Sequence, residues 1–304
     1  MTGVLAAIAL LHILLACAPR DCMAQMQDPP PASPPAAAGG ETISISLSDR
    51  SPAQGDPVLV EVSAAPPTDN VGIVWGGKTF PMRDAGAGRF VAVIGVDLLE
   101  PPGAKPLSVL ASGAGLAARL ELEIDVREKA FPVQVLSLPK KMAEFDNATL
   151  ERIRREAETL ADRLSSVRAP DWDLPFLPPV EEYRPVGFGA RRVINGEPRS
   201  PHAGVDLILP AGTPVRAIAP GIVAFCGDQF FGGRSVVLDH GGGLFSVYYH
   251  LRDSAVAEGH RVEKGDRIGE VGSSGRATGP HLHFGVRAAG GRIDPSLLFE
   301  PAFR

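Results

Sequence analysis

Apolar side chains recur at every second position along most of this chain, in short runs. Ile43, Ile45 and Leu47 make one row, Val58, Val60 and Val62 a second, and Leu120, Leu122, Ile124 and Val126 a third. Period two marks a strand with one buried face, not an amphipathic helix. Turn-forming segments lie between the rows: residues 51–57, Gly76-Gly77, Asp84-Ala85-Gly86 and Pro101-Pro102-Gly103. Glycine and proline supply the backbone angles such turns need. The 34 glycines and 29 prolines, against 6% aromatic residues, suit many turns joining short strands. The expected fold class is mostly β. Residues 42–127 read as an antiparallel β-sandwich of immunoglobulin-like architecture with Trp75 in its core, although no Cys…Trp…Cys signature is present. This part has no catalytic constellation and reads as a spacer or binding module. Residues 182–304 read as a second, all-β domain: 222–225, 235–238, 244–251 and 267–271 are strand-like, and Gly241-Gly242-Gly243 is a hairpin loop.

Residues 128–181 join the two. A strand is expected within residues 131–139. A helix follows, capped at Asp146-Asn147, with Leu150, Ile153, Ala157, Leu160, Leu164 and Val167 at helical spacing and Glu and Arg opposite. It should stop before Pro170, and residues 171–179 form a proline-rich, rigid connector. At the amino terminus, residues 4–16 are apolar apart from His12, which matches the core of a signal peptide and is short for a membrane span. No charged region precedes it. Leu14-Leu15-Ala16-Cys17 resembles a bacterial lipobox, so residues 1–24 are expected to direct export and Cys17 to carry a lipid. A cut after Cys22-Met23-Ala24 is the alternative within export, and an uncleaved anchor is the alternative to it. Residues 25–41, rich in proline and alanine, cannot build a core and read as an extended tether.

The length of 304 residues suits about two domains. A net charge of −5 argues against nucleic acid as the main partner. Cys17, Cys22 and Cys226 make no disulfide framework and no Cys-x-x-Cys, so a metal site must draw on histidine and carboxylate.

Six of the seven histidines lie between residues 202 and 283. In His281-Leu282-His283-Phe284-Gly285-Val286, alternation places both imidazoles on one face of a strand and Leu282, Phe284 and Val286 on the other. Residues two apart on a strand are roughly 6.5 Å apart, so one small site can take both rings. The preceding run, residues 272–280, is rich in glycine and hydroxyls. In His202-Ala203-Gly204-Val205-Asp206, a straight strand would hold the imidazole and carboxylate about 13 Å apart. A bend at Ala203-Gly204 would let them converge. Asp206 enters the apolar run Leu207-Ile208-Leu209, where a carboxylate needs a cation. His202, Asp206 and one histidine of the 281/283 pair would then make a three-ligand set with an open position, as in catalytic zinc sites; Fe(II) also accepts such a set. The other histidine of the pair stays free to act on the reaction. Alternation in Ser246-Val247-Tyr248-Tyr249-His250 puts Ser246, Tyr248 and His250 on one face, with His250 able to move a proton or stabilise an oxyanion. No His-Glu-x-x-His is present. Tyr248, Ser273, Arg276 and Thr278 are candidates for touching substrate. His240 reads as a turn residue, His260 as solvent-facing, Cys226 as a small buried residue, and Arg191 and Arg192 as surface charges.

Residues 201–207 (Pro-His-Ala-Gly-Val-Asp-Leu), Tyr249-His250-Leu251 and residues 272–284, ending in Pro280-His281-Leu282-His283-Phe284, together resemble the lysostaphin-type (LytM-like) zinc metallopeptidases, which cut peptide bonds in bacterial cell-wall peptidoglycan. The resemblance covers roughly residues 186–298. It implies an antiparallel β fold with an open groove and one Zn2+ per chain, held by His202, Asp206 and His283. It also implies His250 and His281 as catalytic histidines and peptidoglycan as partner. Exported action in the periplasm or cell envelope follows. No motif position departs from the active pattern. Degenerate relatives, which lose ligands, suggest the alternative of a non-catalytic wall-binding protein or an activator of wall amidases. A carrier domain is a third reading, because residues 262–269 resemble biotinyl and lipoyl hairpins, but the flanking motif such a lysine needs is missing.

Overall fold

The computed structural model of the chain describes residues 43–65, 68–113, 116–137 and 145–303. The expected signal, the lipobox with Cys17, the tether and the end of the 131–139 stretch lie outside the described residues.

Eight strands build the first unit: β1 (Ser44–Leu47), β2 (Pro57–Ser63), β3 (Asn70–Trp75), β4 (Lys78–Pro81), β5 (Arg83–Gly86), β6 (Arg89–Gly95), β7 (Gly103–Gly113) and β8 (Leu116–Val126). They form two four-stranded antiparallel sheets, ordered β1-β2-β6-β5 and β4-β3-β7-β8. Val58, Val60, Val62, Ala92 and Ile94 from the first sheet and Ile73, Trp75, Leu107, Val109 and Ile124 from the second share one core. Trp75 closes it by donating its indole N–H to Gly95 O at 3.0 Å, which satisfies the one polar atom of a buried ring.

The first sheet is buried on its other face as well. Leu59, Val91 and Val93 point away from the sandwich core and join Leu98 in the core of the second unit. A sheet covered on both sides needs apolar residues at consecutive positions. That explains why residues 57–60 and 90–96 are almost wholly buried without alternation.

After β8 come β9 (Val133–Leu136) and helix α1 (Asn147–Arg163). The Asp146 carboxylate caps the helix by accepting from Thr149 N at 2.8 Å. Leu160 and Leu164 of the helix stripe rest on Val237, Phe245 and Val247. The proline-rich connector is part of the second unit's interior: Trp172, Phe176 and Val180 are buried in its core.

The second unit comprises β10 (Arg191–Ile194), β11 (Glu197–Pro198), β12 (Val205–Leu207), β13 (Pro214–Arg216), β14 (Gly221–Gln229), β15 (Gly233–Gly241), β16 (Leu244–Ser254), β17 (Arg261–Val262), β18 (Arg267–Val271), β19 (Leu282–Ala288) and β20 (Gly291–Ile293). Strands β12 to β20 form a nine-stranded sheet along β12-β19-β16-β15-β14-β17, with β18 on β16 and β13, and β20 on β19. Two short 3-10 helices, Pro295–Phe299 and Pro301–Phe303, follow. The small sheet β11-β10-β9 stands apart from it.

The units are joined by specific contacts as well as by shared core. The Arg292 guanidinium clamps the Asp97 carboxylate with two bonds of 2.6 and 2.8 Å, and Arg292 N adds a third at 3.0 Å. Burial alone would raise the Asp97 carboxyl, but the Arg292 contacts overcome it and hold it below its ordinary value. A Cβ on Gly291 would stand 2.3 Å from Gly95 O, so only glycine lets these backbones meet.

His240, expected in a turn, is instead a fully buried residue near the end of β15. Its Nδ1–H donates to Pro220 O at 2.7 Å, so Nε2 carries a lone pair and meets Ser246 Oγ at 2.7 Å. Ser246 Oγ in turn lies 3.0 Å from the Tyr248 hydroxyl. Burial lowers the His240 pKa from 6.5 to about 4.

Two stability predictions follow from these contacts. Asp97→Ala leaves a half-buried guanidinium unpaired and is expected to cost about 1–3 kcal/mol in denaturant unfolding. For His240, the unfolded chain takes up a proton near 6.5 and the folded one only near 4. Its contribution is therefore complete above pH 6.5 and is lost as pH falls towards 4, by up to about 3 kcal/mol. Urea unfolding at stepped pH should show this slope in the native chain and a shallower one in His240→Gln.

Candidate active site

Register builds the site. Strand β19 lies between β12 and β16, with His283 opposite Asp206 on one side and opposite Tyr249 on the other. These three side chains share one face. Their neighbours Val205, Leu207, Leu282, Phe284 and Tyr248 point the other way and are at most 2% exposed. Burying that row locks the register, since a slip by one residue would send every core side chain to solvent.

His202 reaches the same place through the bend at Ala203-Gly204. Gly189 N donates to His202 O at 2.8 Å and His202 N donates to Ala190 O at 3.0 Å, tying the segment to the entry of β10. A Cβ on Gly204 would lie 2.5 Å from Phe284 O and 2.9 Å from His283 Nε2, so the bend requires glycine.

The hydrogen bonds decide which ring nitrogens are free. His202 Nδ1 faces Gly187 O at 2.9 Å. A carbonyl only accepts, so Nδ1 carries the hydrogen and a neutral His202 presents a lone pair at Nε2. That Nε2 lies 2.8 Å from His283 Nδ1 and 3.1 Å from Asp206 Oδ1, and His283 Nδ1 is also 3.1 Å from Asp206 Oδ1. The three ligand atoms fall within 4.8 Å of one another. With neutral imidazoles the cluster holds more lone pairs than hydrogens, and a divalent cation would satisfy all three at once. Burial alone would raise the Asp206 carboxyl, but hydrogen bonds with His202 and His283 outweigh it and hold it far below its ordinary value. The residues present fit a metal ion. Of the pair, it is His283 that joins the ligand cluster.

His281 and His250 flank the cluster. His281 Nδ1–H donates to Gly279 O at 2.9 Å, and its Nε2 lies 3.8 Å from Asp206 Oδ1. His250 Nδ1–H donates to Ser274 O at 2.9 Å. The His250 and His281 ring centroids are 4.6 Å apart. Burial first, then the nearby imidazoles of His281 and His283, lower the His250 pKa to about 4 and keep the ring neutral. Side-chain exposures of 27% for Asp206, 16% for His281 and 14% for His283 leave the site reachable from solvent.

Simple alternation misplaces two of the expected residues. Tyr248, a candidate for touching substrate, is completely buried against Phe284, with its hydroxyl bonded to Ser246 and Ile218 N. It cannot meet substrate. His250 does not share its face: φ is +63° there, and a bulge between β15 and β16 turns the side chain onto the Tyr249 side. Ser273 and Thr278 are exposed on the 272–280 loop. Arg276 is half-buried, its guanidinium over the rings of Phe145 and Phe231 at 5.5 and 5.6 Å.

Three residues to which the sequence analysis gave no role in the site belong to it. Tyr249 stacks on His283, with ring centroids 5.4 Å apart and planes 13° apart. Ser274 holds the His250 ring through its carbonyl, while its hydroxyl donates to Leu251 O and accepts from Arg234 N, both at 2.8 Å. Arg192, read as a surface charge, has its Nη2 4.0 Å from Asp206 Oδ2. The Tyr249 position was available from alternation counted from His283 across the sheet. The other two depend on loop and hairpin geometry.

The model of peptidase family M23 matches residues 200–295, a span that includes all five histidine and aspartate positions of the site. Residues 200–295 form an M23 peptidase domain. Over 100 residues the chain is 45% identical to the DD-carboxypeptidase/endopeptidase Mpg of Neisseria meningitidis, covering 33% of this chain and 23% of that protein. Over 85 residues it is 41% identical to the peptidoglycan DD-endopeptidase ShyA of Vibrio cholerae, covering 28% of this chain and 20% of that one. The matches therefore span less than a quarter of those relatives. A solved Pseudomonas aeruginosa structure assigned to peptidase M23 superposes with a TM-score of 0.63 at 29% identity, covering 82% of this chain and 95% of that one. That likeness extends well beyond the M23 domain and takes in much of the remaining described chain.

Gly204→Ala should push backbone and the His283 ring apart. Divalent-metal affinity is expected to fall about 10- to 100-fold, read by competition with a chromogenic chelator, while far-UV circular dichroism stays native.

Proposed function

We propose that this chain is a zinc-dependent endopeptidase that hydrolyses peptide bonds in bacterial cell-wall peptidoglycan. The observation that carries the reading is the convergence of His202 Nε2, His283 Nδ1 and Asp206 Oδ1, with the imidazoles of His281 and His250 beside them. One Zn2+ held by those three residues would act as a Lewis acid, acidifying a water molecule and polarising the amide carbonyl.

The remaining chemistry belongs to the two flanking histidines. Each fixes its ring by donating from Nδ1 to a carbonyl, so each has Nε2 free as a proton acceptor. His281, nearer to Asp206, takes the proton of the attacking water. Once protonated, an imidazole becomes a donor, able to stabilise the developing oxyanion or deliver the proton to the leaving amine. His250 shares this role across the 4.6 Å between the rings. Ser274 and Gly279 hold the rings in place through their carbonyls, and Tyr249 supports His283 by stacking.

The relatives named DD-endopeptidases favour a direct D-amino-acid cross-link over a glycine bridge as the scissile bond. Action in the cell envelope accords with such a substrate and with the apolar amino-terminal segment and lipobox-like Cys17. Among the described residues no helix is long and apolar enough to cross a membrane. A non-catalytic wall-binding protein is the weaker reading, since every metal ligand and both flanking histidines are in place.

Two variants separate metal binding from chemistry. His283→Ala is expected to lose stoichiometric zinc and cleavage together. His281→Ala is expected to keep zinc and lose about 10²- to 10⁴-fold in kcat. Elemental analysis and mass spectrometry of products from defined muropeptides read both. Unchanged cleavage by metal-free protein would overturn the proposal.

A further inference from the structure

The β10–β11 hairpin carries two arginines in an arrangement that costs stability. Val193 pairs with Pro198, Ile194 with Glu197, and Arg199 N donates to Arg192 O at 2.8 Å. Arg192 and Arg199 are therefore directly opposed on one face. Opposed side chains start roughly 5 Å apart, and like charges there repel. Arg192 leans towards Asp206, and its Nε is buried with no hydrogen-bond partner. Arg199 is exposed and makes no ion pair among the described residues.

Arg192 and Arg199 thus share one face of the hairpin beside Asp206, which among the described residues is the one acidic side chain paired with either of them, in a chain whose net charge is −5. A cation on Asp206 would engage that negative charge and leave both arginines without an anion. Planar guanidinium forks match carboxylates in shape and charge. We propose that Arg192 and Arg199 bind a free carboxylate of the substrate peptide beside the scissile amide. The inference rests on the peptidase reading and narrows it. Cross-links flanked by free carboxylates would be preferred over neutral ones such as glycine bridges.

The test uses two synthetic cross-linked peptides that differ only at the carboxyl group flanking the scissile amide of a D-amino-acid cross-link, free acid in one and carboxamide in the other. The zinc-loaded full chain is expected to favour the acid by about 30-fold in kcat/KM, mainly through KM, the size of one good charge-assisted contact. Arg199→Gln should shrink that preference to about threefold at most while leaving zinc content unchanged. Binding of the same two peptides to the full chain carrying His281→Ala, followed by calorimetry, supplies a readout independent of turnover. Equal kcat/KM and equal binding for acid and amide would overturn the inference, as would a preference that survives both Arg199→Gln and Arg192→Gln. If neither peptide is cleaved but the acid binds more tightly and Arg199→Gln removes the difference, the carboxylate site stands and the peptidase reading falls.

Discussion

The site depends on the pairing of β19 between β12 and β16. That pairing sets His283 opposite both Asp206 and Tyr249, and the fully buried row behind it, Leu282, Phe284 and Tyr248 with Val205 and Leu207, holds it there. Hydrophobic burial and ligand placement are two faces of one register. The sheet can surrender neither without the other, because a shift by one residue exchanges the faces. Loops then add what the register lacks. The Gly204 bend brings His202 in, the bulge at His250 turns its ring towards His281, and the carbonyls of Gly187, Gly279 and Ser274 choose the tautomers.

Those tautomers matter more than the distances. Three of the four site histidines donate Nδ1–H to a main-chain carbonyl, which leaves Nε2 as the atom facing the site. His283 differs: it presents Nδ1 to Asp206 and His202. The backbone thereby separates the His202, Asp206 and His283 cluster, whose lone pairs crowd together, from a flanking pair whose lone pairs stay available for protons. Burial reinforces the division by keeping His250 neutral.

Much of this was legible in the sequence, and the misses share a cause. Period two correctly assigned the sandwich rows and the His281-to-Val286 strand, because each row of alternate side chains faces one core. It failed at His250, where a bulge and a positive φ break the alternation, and so it promoted Tyr248 and passed over Tyr249. It placed His240 in a turn because glycines follow it, whereas the ring is sealed among Pro220, Ser246 and the β15–β16 pair. The likeness of three separated motifs to a known family pointed to His283 over His281, and it is His283 that lies with His202 and Asp206. Nothing local marks Arg192, whose importance arises only when the β10–β11 hairpin folds against Asp206.

The same limit explains the sandwich. Read alone, residues 42–127 are a spacer or binding module, a unit whose alternation needs only one covered face. The structure covers the second face of β2 and β6 with the peptidase core, and Asp97 and Arg292 fasten the seam. The seam reaches β19 through β20: Gly95 approaches Gly291, and Asp294 N donates to Gly55 O at 2.7 Å just after β20 ends. Strand β20 pairs with the far end of β19, at Val286 to Ala288, while the near end carries His283. The sandwich therefore braces the strand that carries His283, and its buried outer face is better understood as part of the second unit's foundation than as a free surface for partners.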